Sequence, residues 1–113
     1  MSDSPPTTVA YHLFVSPDQV PIASRALRML ITDEAHEPQI RRLAREVLEG
    51  LQTALEVGDS HAVALSAAQM KIAHTAFKLA LDDTQREQSA ERGVLRDLLG
   101  KLPDEHTLRA IQL

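Results

Sequence analysis

Shifted by 50 residues, this chain lies over itself. Ser16-Pro17-Asp18-Gln19-Val20-Pro21-Ile22-Ala23 falls on Ser66-Ala67-Ala68-Gln69-Met70-Lys71-Ile72-Ala73, and the register continues through Ala26/Ala76, Leu27/Phe77, Arg28/Lys78, Met29/Leu79, Ile31/Leu81 and Asp33/Asp83. Six of the eighteen pairs between 16–33 and 66–83 are identical, where unrelated segments of ordinary composition share about one. A shift of 51 then sets Arg41, Arg45, Glu46, Leu48 and Leu51 against Arg92, Arg96, Asp97, Leu99 and Leu102, which implies one extra residue in the second inter-helix connection. A duplicated unit cannot take two unrelated folds, so any assignment made in one half constrains the other.

The best-marked point in each unit is a helix start. Ser16 with Gln19, and Ser66 with Gln69, match the capping box, in which a serine and a residue three positions on satisfy each other's backbone N–H groups. Pro17 suits the first helical position, where its missing N–H costs nothing. Before the first box, Thr8 to Val15 is rich in β-branched and aromatic residues and has the length of a strand. After it, Ala23, Leu27, Leu30 and Ile31 form one helical row and Ile22, Ala26 and Met29 a second. Residues 32–37 read as a polar connection. Pro38 opens a second helix with Ile40, Leu43, Ala44, Val47, Leu48 and Leu51 on one stripe, reaching Leu51 or Leu55 before Gly58-Asp59.

The second half is less clear at its start. Local propensity over His61-Ala62-Val63-Ala64-Leu65 would extend the following helix backwards. The repeat favours a strand, because otherwise the second capping box lies inside a helix. Met70, Ala73, Phe77, Ala80 and Leu81 then mark a third helix, and Val94, Leu95, Leu98, Leu99 and Leu102 a fourth, separated by a connection at Asp82-Asp83 and closed by Pro103. Residues 106–113 read as a third strand. The expected fold is α+β, a tandem duplication in the order β-α-α-β-α-α-β with two helical hairpins on a three-stranded sheet. An all-α four-helix bundle is the alternative. Residues 1–7 form a disordered tail, and 8–113 one domain of two pseudo-symmetric repeats, about 8–58 and 59–113.

Composition narrows function by exclusion. The chain of 113 residues has no cysteine, so disulfides, thiolate metal sites and cysteine nucleophiles are ruled out. No run nears the roughly 18 apolar residues of a membrane span. The opening Met1-Ser2-Asp3-Ser4-Pro5-Pro6 lacks the basic and apolar regions of a secretion signal, so a soluble cytoplasmic protein is expected. His36 among Asp33, Glu34 and Glu37 is the cluster most suited to test for a metal, but it has neither helical zinc-motif nor calcium-loop spacing. Asp33 and Asp83 occupy matching positions, where turn capping is the simpler role. His74 lies alone on an apolar helix. No serine sits in a nucleophile elbow and no glycine-rich loop could cradle a phosphate, so no catalytic residue, metal ligand or cofactor is assigned.

Two surfaces remain. Arg41, Arg42 and Arg45 offer a DNA-binding alternative, but residues 24–46 carry five arginines against four carboxylates and the whole chain has a formal charge of −4. Charge alone therefore argues against nucleic acid as a partner. The first and third helices have more apolar surface than a small two-layer domain can cover, and an uncovered apolar face marks an interface. The expected function is a non-catalytic interaction or regulatory module that pairs with itself or a partner protein through Ile22, Ala26, Met29, Ile72, Ala76 and Leu79, with no membrane partner. A small metal-dependent enzyme is a further alternative.

Overall fold

A computed structural model describes residues 11–32, 36–57, 61–85, 87–103 and 105–111, with the backbone alone at 54–57, 61–62 and 105. The order is β1 (Tyr11–Val15), α1 (Val20–Thr32), α2 (Pro38–Val57), β2 (His61–Leu65), α3 (Ala67–Asp83), α4 (Ser89–Lys101) and α5 (Glu105–Arg109). This is a mostly helical α+β fold, with five helices and a two-stranded antiparallel sheet among the described residues. The all-α alternative is excluded by the sheet. The strand reading of residues 61–65 holds. The third strand does not: Glu105–Arg109 is helical, and its Leu108 is buried against the core.

β1 and β2 pair with Tyr11 opposite Leu65, Leu13 opposite Val63 and Val15 opposite His61. Alternation sends Leu13, Val15, Val63 and Leu65 inward, while His12, Phe14 and Ala64 face out. The inward side chains join one core with Leu27, Leu30, Leu51, Ile72, Phe77, Leu95 and Leu98. A two-stranded ribbon is marginal alone, so its stability comes from the helices it covers. At Gly50 α2 lies close against β2: a Cβ there would stand 3.1 Å from Val63 Cγ1. A mid-helix glycine costs about 1 kcal/mol relative to alanine, and this close packing explains its presence.

The two helix starts differ. Ser66 forms the complete capping box: its hydroxyl accepts from the Gln69 N–H at 3.1 Å, and Gln69 Oε1 accepts from the Ser66 N–H at 3.0 Å. At the first start Gln69's counterpart, Gln19, keeps only the return bond, 3.2 Å from the Ser16 N–H, and the helix begins at Val20 after a turn rather than at Pro17. The Ser16 hydroxyl instead hydrogen-bonds the Asp18 carboxylate, which lowers the pKa of Asp18. Ala68 stands where Asp18 would compete, so Ser66 is left to cap. At the other end, α3 runs through Asp82 and Asp83, two residues into the expected connection, and Thr84 closes it with its hydroxyl donating to the Ala80 carbonyl at 2.6 Å.

Side-chain bonds tie distant parts of the chain. Gln19 Nε2 donates to Asp97 Oδ2 at 2.6 Å, and Gln69 Nε2 to Glu46 Oε1 at 3.0 Å. Lys101 Nζ reaches Asp97 at 3.1 Å and the Phe14 carbonyl at 2.9 Å, and the Tyr11 hydroxyl donates to the Lys101 carbonyl. Arg25 pairs with Glu91 at 2.7 Å across α1 and α4. Lys71 donates to the Ile111 carbonyl at 2.7 Å, holding the segment after α5 against α3. No helix among the described residues is long and apolar enough to cross a membrane.

Ser66→Ala is expected to cost about 1 kcal/mol in urea unfolding, and Ser16→Ala less; equal costs would show that the two caps do not differ as described. Acid should also reveal the Asp97 contact. The hydrogen bond from Gln19, then Lys101, holds the Asp97 carboxyl below its ordinary 3.8. The unfolded chain therefore takes up protons first as pH falls. The resulting stability is complete above the ordinary value and lost as pH drops through the folded value. Asp97→Asn should flatten that acid limb in melting curves between about pH 2 and pH 6; an unchanged slope would contradict it.

Candidate functional site

The six apolar residues read from the sequence as an interface divide on folding. Ala26, Ile72 and Ala76 are in the core, at 1, 2 and 1 % exposed. α1 and α3 are in contact, so much of each helix's surplus apolar surface is covered inside the chain. Ile22 and Met29 are half-buried, while Leu79 stays 42 % exposed. Two of these surface residues meet. Met29 and Leu79 line a groove of about 300 Å³ together with Leu30, His36 and Asp83.

The groove is built by the later turns of α1 and α3 and the residues leading into α2. Met29 and Leu30 come from α1, Leu79 and Asp83 from α3, and His36 from just before Pro38. Met29 and Leu79 are matching positions at the shift of 50, and Asp83 follows Leu79 by one helical turn. An apolar residue with a carboxylate four positions on, repeated as Met29/Asp33 and Leu79/Asp83, is the sequence signal that could have located this face. Asp33 itself lies outside the described residues, so the proposed Asp33/Asp83 pairing and the His36 cluster with Asp33 do too.

The groove can accept an apolar group on its floor and a polar or charged group at its rim. It offers one imidazole and one carboxylate, a pair capable of proton exchange, but it is open to water at Leu79 and Asp83. Acid–base chemistry gains most where water is excluded, which this open groove does not do. No three His, Asp or Glu side chains converge on a metal-sized space among the described residues. His74 is half-buried on α3, and His12 and His106 are exposed elsewhere.

The three arginines of the DNA-binding alternative have different roles. Arg41 is half-buried, and its Nε donates to the Ile31 carbonyl at 3.0 Å, where it meets the last turn of α1. Arg92 acts likewise on α3, donating to the Leu81 carbonyl at 3.0 Å and the Thr84 carbonyl at 2.8 Å. A guanidinium at a helix C-terminus satisfies carbonyls that lack intrahelical partners. Arg42 and Arg45 are exposed on α2. A second exposed apolar residue, Phe14, stands 63 % exposed on the outer face of β1, where sequence reading placed only a strand residue.

The chain matches no protein-family model, no curated protein and no solved structure. Arg41→Ala should lower stability by about 1–2 kcal/mol, the range for a charged hydrogen bond at a half-exposed site. Arg42→Ala and Arg45→Ala should stay within about 0.5 kcal/mol. Urea unfolding of the three variants separates these roles, and equal effects would remove the structural assignment of Arg41.

Proposed function

We propose that this protein is a non-catalytic interaction module assembled from two related β-α-α halves, acting through the groove between α1 and α3. The observation that carries the reading is Leu79: a large apolar side chain left 42 % exposed in the groove that it lines with Met29. Isolated exposed hydrophobics are common. One placed in a concave, partly apolar groove has a shape a partner can fill.

Reciprocal contacts support the duplication. Leu13 stands opposite Val63, its own counterpart at the shift of 50, as a two-fold axis between the strands requires. The Gln19–Asp97 bond is answered by Gln69–Glu46, where 19 and 69 match at 50 and 46 and 97 at 51. The Arg41–Ile31 bond is answered by Arg92–Leu81 in the same way. In this arrangement each glutamine reaches into the opposite half. The two halves then resemble interlocked protomers joined into one chain, and the groove exists only where both contribute a helix.

A photo-crosslinking side chain at position 79 in cells making the protein should give discrete adducts that the same group at exposed Arg96 does not, and Met29→Asp should suppress them. Adducts equal at both positions, or none at 79, would refute the groove as an interaction face.

A further inference from the structure

Lys101 occupies a setting that the second half of the chain repeats without a lysine. Its Nζ donates to the Phe14 carbonyl at 2.9 Å and to Gln19 Oε1 at 3.2 Å, and pairs with Asp97 Oδ2 at 3.1 Å. An ammonium has three N–H donors and no acceptor, and three oxygens from separate residues meet it here. At the shifts of 50 and 51 the counterparts of these residues are Ala64, Gln69 and Glu46, and the counterpart of Lys101 is Gly50.

Equivalent bonds hold both sets of acceptors. Gln19 Oε1 accepts from the Ser16 N–H while its Nε2 donates to Asp97, and Gln69 Oε1 accepts from the Ser66 N–H while its Nε2 donates to Glu46. The strand register supplies the third oxygen. In an antiparallel pair, alternate residues turn both backbone groups away from the partner strand. Lys101 takes the Phe14 carbonyl and Gln19 the Ser16 N–H, so these even-numbered residues face the outer edge of β1. Phe14 is paired with Ala62 and His12 with Ala64. Ala64 therefore turns its carbonyl to the outer edge of β2, on the side where Gln69 takes the Ser66 N–H. No described residue donates to that carbonyl at this edge. Apart from α2 itself, Val63 Cγ1 is the only described atom within 4 Å of a Cβ placed on Gly50.

The surrounding charges set the strength of the second setting. Arg42 and Arg45 are exposed on α2, but Arg42 lies one turn before Glu46 and Gly50 one turn after it, and neither arginine bonds Glu46 among the described residues. Asp18, whose charge also acts on Lys101, is matched by Ala68, which leaves one carboxylate instead of two. α4 ends at Lys101 whereas α2 runs on to Val57, so Gly50 also lacks the helix end that favours a cation. A ligand there is held more weakly than Lys101.

We propose that Glu46, Gln69 and the Ala64 carbonyl form a binding site for a primary alkylammonium supplied from outside the chain. This site is separate from the groove between α1 and α3 and does not depend on it. A second copy has no lysine to spare: of the three in the chain, Lys71 holds the Ile111 carbonyl, Lys101 fills the first setting and Lys78 is engaged as well. The ammonium comes from a free amine or from a lysine of a partner protein.

The test is an NMR titration of the full chain at constant ionic strength with n-butylammonium chloride, tetramethylammonium chloride and a capped Ala-Lys-Ala peptide. n-Butylammonium should shift the Gln69 side-chain amide and the backbone amides of Gly50 and Leu65, and tetramethylammonium, which carries the charge but no N–H, should not. Glu46→Gln should weaken binding about two- to fivefold, the range for an exposed ion pair, while Glu49→Gln, which removes a neighbouring charge on α2, leaves it unchanged. Gly50→Lys should abolish the response by supplying the ammonium from α2, and should melt at a higher temperature than Gly50→Ala, which meets Val63 in the same way. Tighter binding of the peptide than of n-butylammonium assigns the site to a partner's lysine, and equal binding assigns it to a free amine. Equal shifts with tetramethylammonium, equal weakening by Glu46→Gln and Glu49→Gln, or no shift at these amides up to about 100 mM amine each overturn the proposal and leave the groove reading as it was.

Discussion

The antiparallel pairing of β1 with β2 is the constraint on which the other contacts depend. Ten residues in two strands bury too little to persist alone, so the ribbon needs a helical layer beneath it. Leu13, Val15, Val63 and Leu65 supply the ribbon's contribution to that layer. Setting Leu13 opposite Val63 also brings the two helix starts to opposite ends of the ribbon. That places Gln19 within reach of Asp97 and Gln69 within reach of Glu46. A slip of one residue would turn the apolar strand faces to water and break both bonds, so packing and polar contacts select the same register.

Covering the ribbon draws α1 and α3 together, and this contact separates core from surface. Alanines at 23, 26, 73 and 76 are all buried, and small side chains let the helices approach. The larger Met29 and Leu79, further along, leave a groove. The polar contacts at the helix ends follow the same division. Arg41 and Arg92 satisfy carbonyls at the ends of α1 and α3.

Five residues of α5 and the segment after it pack against the core. Leu102 and Leu108 are buried, and Lys71 holds the Ile111 carbonyl. Ile72 is 2 % exposed, whereas Ile22, the residue that falls on it at the shift of 50, is only half-buried. Lys71 corresponds to Pro21, which has no donor to offer.

The sequence by itself determined the types of the first six elements and the starts of α2, β2 and α3. Capping pairs, proline positions and helical rows are local signals, and the match at a shift of 50 resolved residues 61–65 as strand against their alanine-rich propensity. Local signals could not say which apolar rows face each other. Ala26, Ile72 and Ala76 look as available as Met29 and Leu79 until α1 meets α3. The tail at 106–113 shows the same limit: its apolar residues suit a strand, but Leu108 is buried when Glu105–Arg109 turns as a helix. Tertiary structure decided both outcomes, because burial is a property of pairs of surfaces, and a sequence lists only one surface at a time.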